Sequence, residues 1–223
     1  SNTKENMDYF LKTGPLKTNM LNVRSFKVYA DGALGSRGAA LKNPYSDLKS
    51  HKGVFITSKD SIEKLAYRLA ATPFQMNTHA IGDDANKVVL DSYKKALVFS
   101  DDPRWRIEHA QIIDTVDIKL FNRKIIPSIQ PTHATSDMYW AEERLGENRL
   151  LGAYAYNDLL KRSGRIALGT DFPVEEVSTL NTFYAAISRK DSNQFPEKGF
   201  LSQNKLSRMD ALKGMTIWGS YAN

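Results

Sequence analysis

The chain has 223 residues, of which 41% are hydrophobic and 25% are charged, and its formal net charge is +6. This length can bury one sizeable core, and the composition is that of an ordinary globular protein. The absence of cysteine excludes disulfides and thiolate metal sites, and no apolar run reaches the roughly 18 residues of a membrane helix. The lysines and arginines form no basic block and accompany no nucleic-acid motif, so we expect neither a nucleic-acid nor a membrane partner.

Short β-rich runs alternate with longer amphipathic stretches along the chain. In chain order, this pattern predicts strands at residues 23–30, 74–79, 105–109, 125–130 and 165–170. It predicts helices at residues 61–71, 84–99, 114–122, 149–162, 178–189 and 208–218. Such alternation is typical of parallel strands joined by crossover helices. We therefore expect an α/β domain over residues 23–223, preceded by an N-terminal segment of residues 1–22.

Two helix boundaries carry local signals. Ser58 precedes Asp60 and Glu63, and a hydroxyl followed by acids is suited to the N-terminus of a helix. The pair at residues 163–164, Ser-Gly, is suited to a helix end before the strand at residue 165.

Polar side chains stand where three of the predicted strands end. His79, His109 and Asp171 each lie at or just past the C-terminal end of a strand. Both an open doubly wound sheet and a (β/α) barrel place the active site at that edge. A barrel brings side chains from several well-separated strands to one point, and we therefore favour the barrel.

These residue types are suitable ligands for a metal ion. One histidine at a strand end is more often a hydrogen-bonded structural residue. Two on successive strands, with an aspartate on a later strand, favour a metal site, because imidazole and carboxylate bind zinc and similar ions.

Five segments resemble amidohydrolase family 3 in order and spacing. Residues 26–37 (FKVYADGALGSR) resemble its K-x-x-x-D-G-x-L-G-S-R signature. The other four are residues 78–83 (THAIGD), 106–111 (RIEHAQ), 128–133 (SIQPTH) and 169–174 (GTDFPV). The resemblance covers about residues 23–216 and implies a metal-dependent hydrolase built on a TIM-type (β/α)8 barrel.

The resemblance also implies individual roles. Lys27 matches a lysine that can be carboxylated and bridge two metals, and His79 and His109 match metal-binding histidines. Asp171 matches the aspartate that binds metal and acts as the catalytic proton shuttle. His133 is similar in position to a residue that faces the substrate.

Other interpretations of these residues stay open. Lys27 could be an ordinary lysine whose ammonium meets Asp31, and His133 could be a loop histidine without a substrate contact. Ser36 and Arg37 are candidate substrate contacts, and a tight structural turn is the alternative. In the same way, His51 matches no ligand motif and is expected at the surface, and Arg106 and Glu108 are expected to form a structural ion pair or to contact a helix.

One part of the family pattern is missing. The family has a His-x-His pair on its first barrel strand, and no His-x-His occurs in this sequence. A βαβ unit takes roughly 30 residues or more, whereas 22 residues precede the first predicted strand. We therefore expect a partial barrel of about five parallel strands, corresponding to strands four to eight. Its two open sheet edges suggest self-association.

The expected function is hydrolysis of a C–N bond in a small amide-like or cyclic amide substrate by a parent protein. The expected cofactor is a divalent metal, with zinc favoured and one or two ions in the parent. Alone, this chain is expected to hold metal weakly or not at all and to be inactive. The alternatives are a non-catalytic ligand-binding or regulatory module and, from the charge alone, a nucleic-acid binder. The cellular compartment is left open.

Overall fold

The computed structural model of the protein describes residues 2–223. The helices are α1 (Lys4–Thr13), α2 (Lys59–Ala70), α3 (Asp83–Ala96), α4 (Pro131–Asp137), α5 (Ala141–Leu145), α6 (Glu147–Leu150), α7 (Tyr156–Ser163), α8 (Thr179–Ser188), α9 (Arg208–Met215) and α10 (Ile217–Ala222). The strands are β1 (Leu16–Lys17), β2 (Asn22–Val23), β3 (Ser25–Tyr29), β4 (Gln75–Ala80), β5 (Trp105–His109), β6 (Ile125–Ile129) and β7 (Ala167–Leu168). Across these described residues, no helix combines the length and apolar character needed to cross a bilayer.

The central element is a five-stranded sheet in which β3 to β7 are all parallel and follow one another in chain order. Sequential parallel strands with helices between them are the arrangement of a TIM-type barrel. The predicted fold class, a partial barrel of five parallel strands, is confirmed. The register places Lys27 beside Asn77 and His79 beside Glu108, so residues from neighbouring strands lie level at the C-terminal edge.

Alternation along the strands separates a helix-covered face from an inner face. Val28, Met76 and Ile107 are fully buried on the face that packs against the helices. On β5, Arg106 and Glu108 flank Ile107 and point to the other face. Both are partly exposed, and they form the expected ion pair, with Nε and Oε1 3.0 Å apart. The inner face of this sheet is therefore polar, and the apolar core lies between the sheet and the helices.

Large buried aromatic residues hydrogen-bond to backbone carbonyls in and beside β4. The Tyr93 hydroxyl on α3 donates to the Met76 carbonyl of β4 at 2.8 Å. The Trp105 indole of β5, 1% exposed, donates to the Phe74 carbonyl just before β4 at 3.2 Å. Buried tyrosine and tryptophan normally need such partners, and the Tyr93 bond ties α3 to the sheet.

Both predicted helix-boundary signals are confirmed. The Ser58 hydroxyl caps α2 by accepting from the Ser61 backbone N–H at 3.2 Å. Gly164 ends α7 with a φ of +75°, a left-handed conformation that glycine adopts at little cost.

The N-terminal residues pack on the barrel segment. In α1, Met7 is 5% exposed within the core, and the Phe10 ring lies 6.4 Å from the Phe74 ring, edge to face. Strands β1 and β2 pair antiparallel, with Leu16 beside Val23. The boundary predicted between residues 22 and 23 therefore falls inside this hairpin.

The helix predicted over residues 114–122 is wrong; only a single 3₁₀ turn forms, at Ile118–Leu120. The Asp114 carboxylate accepts from the Val116 backbone N–H at 3.1 Å and from the Lys42 ammonium at 2.7 Å. A side chain that bonds its own backbone in this way competes with helix formation.

The helix predicted over residues 149–162 is two helices with a break between them. Ala153 forms an antiparallel bridge with Ile112 in the gap between α6 and α7. A Cβ on Gly152 would lie 1.7 Å from the Ile113 carbonyl oxygen. The close backbone approach that interrupts the helix therefore requires glycine at this position.

Candidate metal centre

A cavity of about 410 Å³ opens at the C-terminal ends of the parallel strands. Its lining combines histidines, acids and one lysine with apolar side chains: Lys27, Tyr29, Ala33, Leu34, Gly35, His79, Ile81, His109, Gln111, His133, Asp137, Trp140, Asp171, Val174 and Glu175. This lining includes all four residues with predicted metal or catalytic roles, Lys27, His79, His109 and Asp171. It also includes His133, which was predicted to face the substrate. Lys27 and Asp171 are more than 140 residues apart in the sequence and still line one cavity, because the ends of parallel strands meet there as in a TIM-type barrel.

Three imidazole rings form a row in the cavity. His79 is the last residue but one of β4, His109 ends β5, and His133 lies in α4, which follows β6. The ring centroids of His79 and His109 are 4.5 Å apart, and those of His109 and His133 are 5.7 Å apart. The row shows that these three strand ends converge on one volume.

Backbone conformation turns His109 into that row. The sheet register places His79 beside Glu108, so simple alternation would direct His109 to the opposite face. His109 instead has a φ of +72°, followed by Ala110 at +42°. Such left-handed conformations are uncommon outside glycine and cluster at functional sites. They reorient the imidazole towards His79.

The tautomer of His109 follows from its partner. Its Nδ1 lies 2.8 Å from Oε1 of Gln130, which can only accept, so Nδ1 carries the proton. The other nitrogen, Nε2, keeps its lone pair. Metal-binding histidines in proteins are commonly oriented by such an outer hydrogen bond.

Asp171 completes a group of three potential ligands. It lies in the loop after β7 with a φ of +59°, and its side chain is 36% exposed. Its Oδ2 is 3.7 Å from His133 Nε2. One ligand atom from each of His109, His133 and Asp171 can be chosen so that all lie within 4.8 Å of one another. This spacing suits a shared ion, because three protein ligands are common at catalytic zinc sites.

The histidines are held in the neutral form that binds metals. Burial lowers the pKa of His79 to about 4, and the positive charge of Lys27 adds to this. Burial also lowers the pKa of His109 to about 2, with His79 and His133 contributing. Burial lowers the pKa of His133 as well, opposed by Glu175 and Asp171.

Two buried histidine nitrogens of the cavity lining have no hydrogen-bond partner within residues 2–223. They are Nε2 of His133, 3.7 Å from Asp171 Oδ2, and Nε2 of His79, 3.7 Å from Oδ1 of the buried Asp31. A buried polar atom without a partner costs free energy, so such atoms call for an explanation. Lone pairs on neutral imidazoles beside a carboxylate fit a divalent cation, and the donor set therefore suits the metal that the motifs imply.

Lys27 lies in the same cavity but does not meet Asp31. Its ammonium nitrogen is 5.2 Å from the centre of the Tyr29 ring. Asp31 is fully buried and accepts from the backbone N–H groups of Ala40 at 2.8 Å, Ile81 at 3.0 Å and Gly82 at 2.8 Å. Asp31 therefore joins the loop after β3 to the turn after β4.

The glycine of the THAIGD segment belongs to the same junction. A Cβ on Gly82 would lie 2.0 Å from the Ala40 carbonyl oxygen. The turn that precedes α3 can therefore pack on the Asp31 loop only without a side chain. Asp31 and Gly82, which both belong to the family-like segments, therefore have a packing role at this junction.

Ser36 and Arg37, the other predicted substrate contacts, do not line the cavity. The Arg37 guanidinium makes two bonds to Asp47, Nε to Oδ1 at 3.2 Å and Nη2 to Oδ2 at 2.7 Å. The Ser36 hydroxyl donates to the Ala33 carbonyl at 3.3 Å. His51 is partly buried and bonds the Arg37 carbonyl through Nε2 at 2.9 Å. A structural turn accounts for these contacts.

Sequence reasoning missed an acidic residue of the cavity, Asp137. Its Oδ2 accepts from the Tyr154 hydroxyl at 2.7 Å and from Gln111 Nε2 at 2.9 Å. Burial raises its pKa to about 7, opposed by these hydrogen bonds and assisted by the charge of Glu175. The available signal was spacing, since Asp137 follows His133 by one helical turn and lies on the same face of α4.

Comparison with known proteins gives one family. The model of the amidohydrolase family Amidohydro_3 matches residues 2–223. The putative amidohydrolase YtcJ of Bacillus subtilis is 32% identical over 190 residues, covering 85% of this chain and 36% of YtcJ. Protein LONG AFTER FAR-RED 3 of Arabidopsis thaliana is 29% identical, covering 95% of this chain and 36% of that protein. The N-substituted formamide deformylase of Arthrobacter pascens is 26% identical over 177 residues, 77% of this chain and 32% of that protein.

Solved structures give the same result. A metal-dependent hydrolase from Pyrococcus horikoshii matches with a TM-score of 0.85 and 28% identity. One from Pyrococcus furiosus matches with a TM-score of 0.83, also at 28% identity. Each match covers 98% of this chain and 44% of the other. The chain therefore spans about a third of the curated relatives named above and under half of these structures.

Proposed function

Because the chain belongs to the amidohydrolase family, we propose that it forms part of a metal-dependent hydrolase that cleaves C–N bonds in amide-like or cyclic amide substrates. We call the protein that would combine this chain with the remaining barrel strands the complete barrel protein. The observation that carries the proposal is the convergence of His109, His133 and Asp171, with ligand atoms within 4.8 Å of one another. The C–N specificity is supported by the names of the relatives, one of which is a deformylase of N-substituted formamides.

The proposed ion is zinc, held by His109, His133 and Asp171. His79 and Lys27 line the same cavity and are the further ligands that the family motifs suggest, with Lys27 carboxylated. A bound divalent cation would polarise the scissile carbonyl and make a water molecule more acidic. His133 would then serve as a ligand in addition to, or in place of, its suggested contact with substrate.

Two protein groups around the proposed ion have further roles, one in orienting a ligand and one in proton transfer. Gln130 holds Nδ1 of His109 as the protonated nitrogen and so keeps Nε2 as a lone-pair donor. Asp171, the most exposed member of the group, is accessible to water and substrate. We assign to its carboxylate the acceptance of the proton from the attacking water and its delivery to the leaving nitrogen, a transfer that typically contributes about 10²–10⁴-fold.

For the 223-residue chain alone we propose weak metal binding and no turnover. The His-x-His pair that the family carries on its first strand is absent from the sequence, so the ligands from that strand are missing. The sheet also ends at β3 and β7, and an open sheet does not fix its strand ends as barrel closure does. Unpaired edge strands favour association between copies, so we further propose self-association through these edges.

The test compares the chain with the complete barrel protein. Both are dialysed against chelator, reloaded with zinc, analysed for bound metal and assayed for amine release from a panel of N-formyl and N-acyl amines. We expect stoichiometric zinc and amine release in the complete barrel protein, and neither in the chain. The matched control is Asp171→Asn in the complete barrel protein.

Two results would contradict these statements separately. A correctly folded, zinc-loaded complete barrel protein that releases amine from no N-acyl substrate would overturn the proposed reaction. Tight zinc and robust turnover in the 223-residue chain would overturn the proposed inactivity and leave the reaction in place. Sedimentation of the chain as a monomer at micromolar concentration would contradict self-association.

A further inference from the structure

Two acids of the cavity have no part in the chemistry proposed above. Asp137, at the end of α4, and Glu175, in the loop before α8, both line the cavity. The Ser136 hydroxyl donates to Glu175 Oε1 at 2.6 Å, and Glu175 Oε1 lies 4.0 Å from His133 Nε2. Glu175 therefore stands beside the candidate ion site, and Asp137 lies in the same cavity.

Asp137 is fixed in place by buried donors. Tyr154, which is fully buried, and Gln111, 4% exposed, both donate to one oxygen of Asp137, Oδ2. Gln111 also donates to the Tyr154 hydroxyl at 3.1 Å, so the three groups form a closed network. Because both donors use Oδ2, the other oxygen is left for a ligand. A carboxylate held so firmly at a cavity wall is preorganised for recognition.

The charges of the cavity are unbalanced. The proposed ion would neutralise Asp171, and the lining then keeps two further carboxylates, Asp137 and Glu175, against one lysine and no arginine. Burial and, to a lesser extent, the charge of Glu175 raise the pKa of Asp137, so neighbouring negative charge adds to the cost of its ionisation. A cation or a strong N–H donor from a ligand would relieve this, whereas a ligand carboxylate would add to the repulsion.

One part of the lining is apolar. Leu34, Ile81, Trp140 and Val174 face the cavity together with the acids. A Cβ on Gly35 would lie 3.3 Å from the Trp140 ring, so this glycine lets the loop pack against the indole. A volume of about 410 Å³ with apolar walls and a few fixed polar groups suits a small organic ligand.

We propose that Asp137, assisted by Glu175, is a specificity-determining site that binds the amine portion of the substrate and selects compounds that present an ammonium or N–H group beside an apolar body. This inference rests on the proposed function, since the amine is the leaving group of the proposed hydrolysis. It assigns the substrate class to neutral or cationic amides of apolar amines. Substrates with a carboxylate on the amine portion are disfavoured.

Binding to the metal-free 223-residue chain tests the proposal without turnover. The probes are benzylammonium, benzyl alcohol and benzoate, which share one ring and differ in charge, titrated by calorimetry at neutral pH. We expect benzylammonium to bind at least about tenfold more tightly than benzoate, because it can donate a charge-assisted hydrogen bond to Asp137 that benzoate cannot. Asp137→Asn, whose amide oxygen can still accept from Tyr154 and Gln111, should lose about tenfold of the ammonium affinity.

Two matched variants locate the effect. Asp158→Asn removes a carboxylate outside the cavity, where Asp158 pairs with Lys161 at 3.0 Å, and should bind benzylammonium like the unmodified chain. Asp171→Asn removes the acid of the cavity that is not part of the proposed binding site but could also attract an ammonium group. Equal loss in Asp171→Asn with no loss in a folded Asp137→Asn would overturn the assignment to Asp137. Equal affinity of the unmodified chain for all three probes would overturn the charge selection.

The complete barrel protein separates this proposal from the proposed function. There Asp137→Asn should raise KM for N-acyl amines at least about fivefold and lower the preference over N-acyl amino acids, with kcat changed far less. Absence of any hydrolysis, together with selective ammonium binding by the chain, would remove the proposed reaction and keep the binding site. Normal hydrolysis with unchanged preference in Asp137→Asn would remove the binding site and keep the reaction.

Discussion

Two carboxyl groups, the fully buried Asp31 and the partly buried Asp137, have similarly raised pKa values and different surroundings. Burial raises the pKa of each to about 7. Asp31 is fully buried and receives three backbone N–H groups from two loops. Asp137 receives two side-chain donors on one oxygen and lines the cavity. A raised pKa therefore marks burial in both places and does not by itself distinguish a structural acid from one that meets a ligand.

The partners make the distinction. Backbone donors come from the fold itself, so the Asp31 carboxylate joins the loops after β3 and β4, with its Oδ1 also 3.7 Å from His79 Nε2. Side-chain donors on one oxygen of Asp137 orient the carboxylate and leave its other oxygen for a ligand. Acids in a cleft whose pKa is shifted are candidates for function. Here the oxygen without a protein donor distinguishes Asp137, the candidate ligand contact, from Asp31, the structural acid.

The largest effect is expected at a third acid, Asp171, in the complete barrel protein. Asp171→Asn keeps the shape of the side chain but removes a proton acceptor and an anionic ligand. We expect kcat to fall about 1,000-fold or more, with an unchanged circular dichroism spectrum and melting transition. Turnover close to that of the unmodified protein, in a folded and zinc-loaded variant, would rule out the proton-transfer assignment.

The next effect separates the two buried acids by stability. Asp31→Ala leaves three buried backbone N–H groups without their acceptor, and each unsatisfied group costs about 1–3 kcal/mol. We expect a loss of about 3 kcal/mol or more in the free energy of unfolding, measured with urea. Asp137→Ala serves as the matched comparison and should cost about 2 kcal/mol or less, because its two donors, Gln111 and Tyr154, still bond each other at 3.1 Å after the change. Equal losses would remove the distinction drawn between these acids.

The sequence predicted the strands and the gathering of the cavity histidines because both depend on local patterns. Strand–helix alternation follows from burial of one face, and strand ends of a parallel sheet share one edge. His79, His109 and Asp171 could be placed by that logic alone. Lys27 needed the family motif, since a lysine on a strand has no local signature of its role.

The parts that could not be predicted depend on backbone conformation and long-range contacts. The φ of +72° at His109 overrides strand alternation, and no pattern of side chains announces it. The break before α7 depends on Gly152 meeting Ile113, a contact between residues 39 positions apart. The network of Asp137 joins residues from three separate segments and appears only after the chain has folded.

A smaller effect tests the packing side of the Asp31 junction. In Gly82→Ala the added methyl would lie 2.0 Å from a backbone oxygen, so the two loops must separate. Overpacking of this kind costs about 1–3 kcal/mol, and we expect about 2 kcal/mol in urea unfolding. Gly169→Ala is the control, because a Cβ there meets nothing within 4 Å and should change stability by less than about 0.5 kcal/mol. A Gly82→Ala variant as stable as the control would contradict the close approach.

The smallest effect is expected at Arg37, which the sequence offered as a substrate contact. Its side chain is 31% exposed and pairs with Asp47, which also pairs with Arg144. Partly exposed ion pairs contribute about 1 kcal/mol or less, and Arg144 would still neutralise Asp47 after the change. We therefore expect Arg37→Ala to cost less than about 1 kcal/mol in stability and to leave benzylammonium affinity unchanged, since Arg37 does not line the cavity. A severalfold change in that affinity, without a change in stability, would show that Arg37 contacts the ligand. The substrate would then lie closer to the loop after β3.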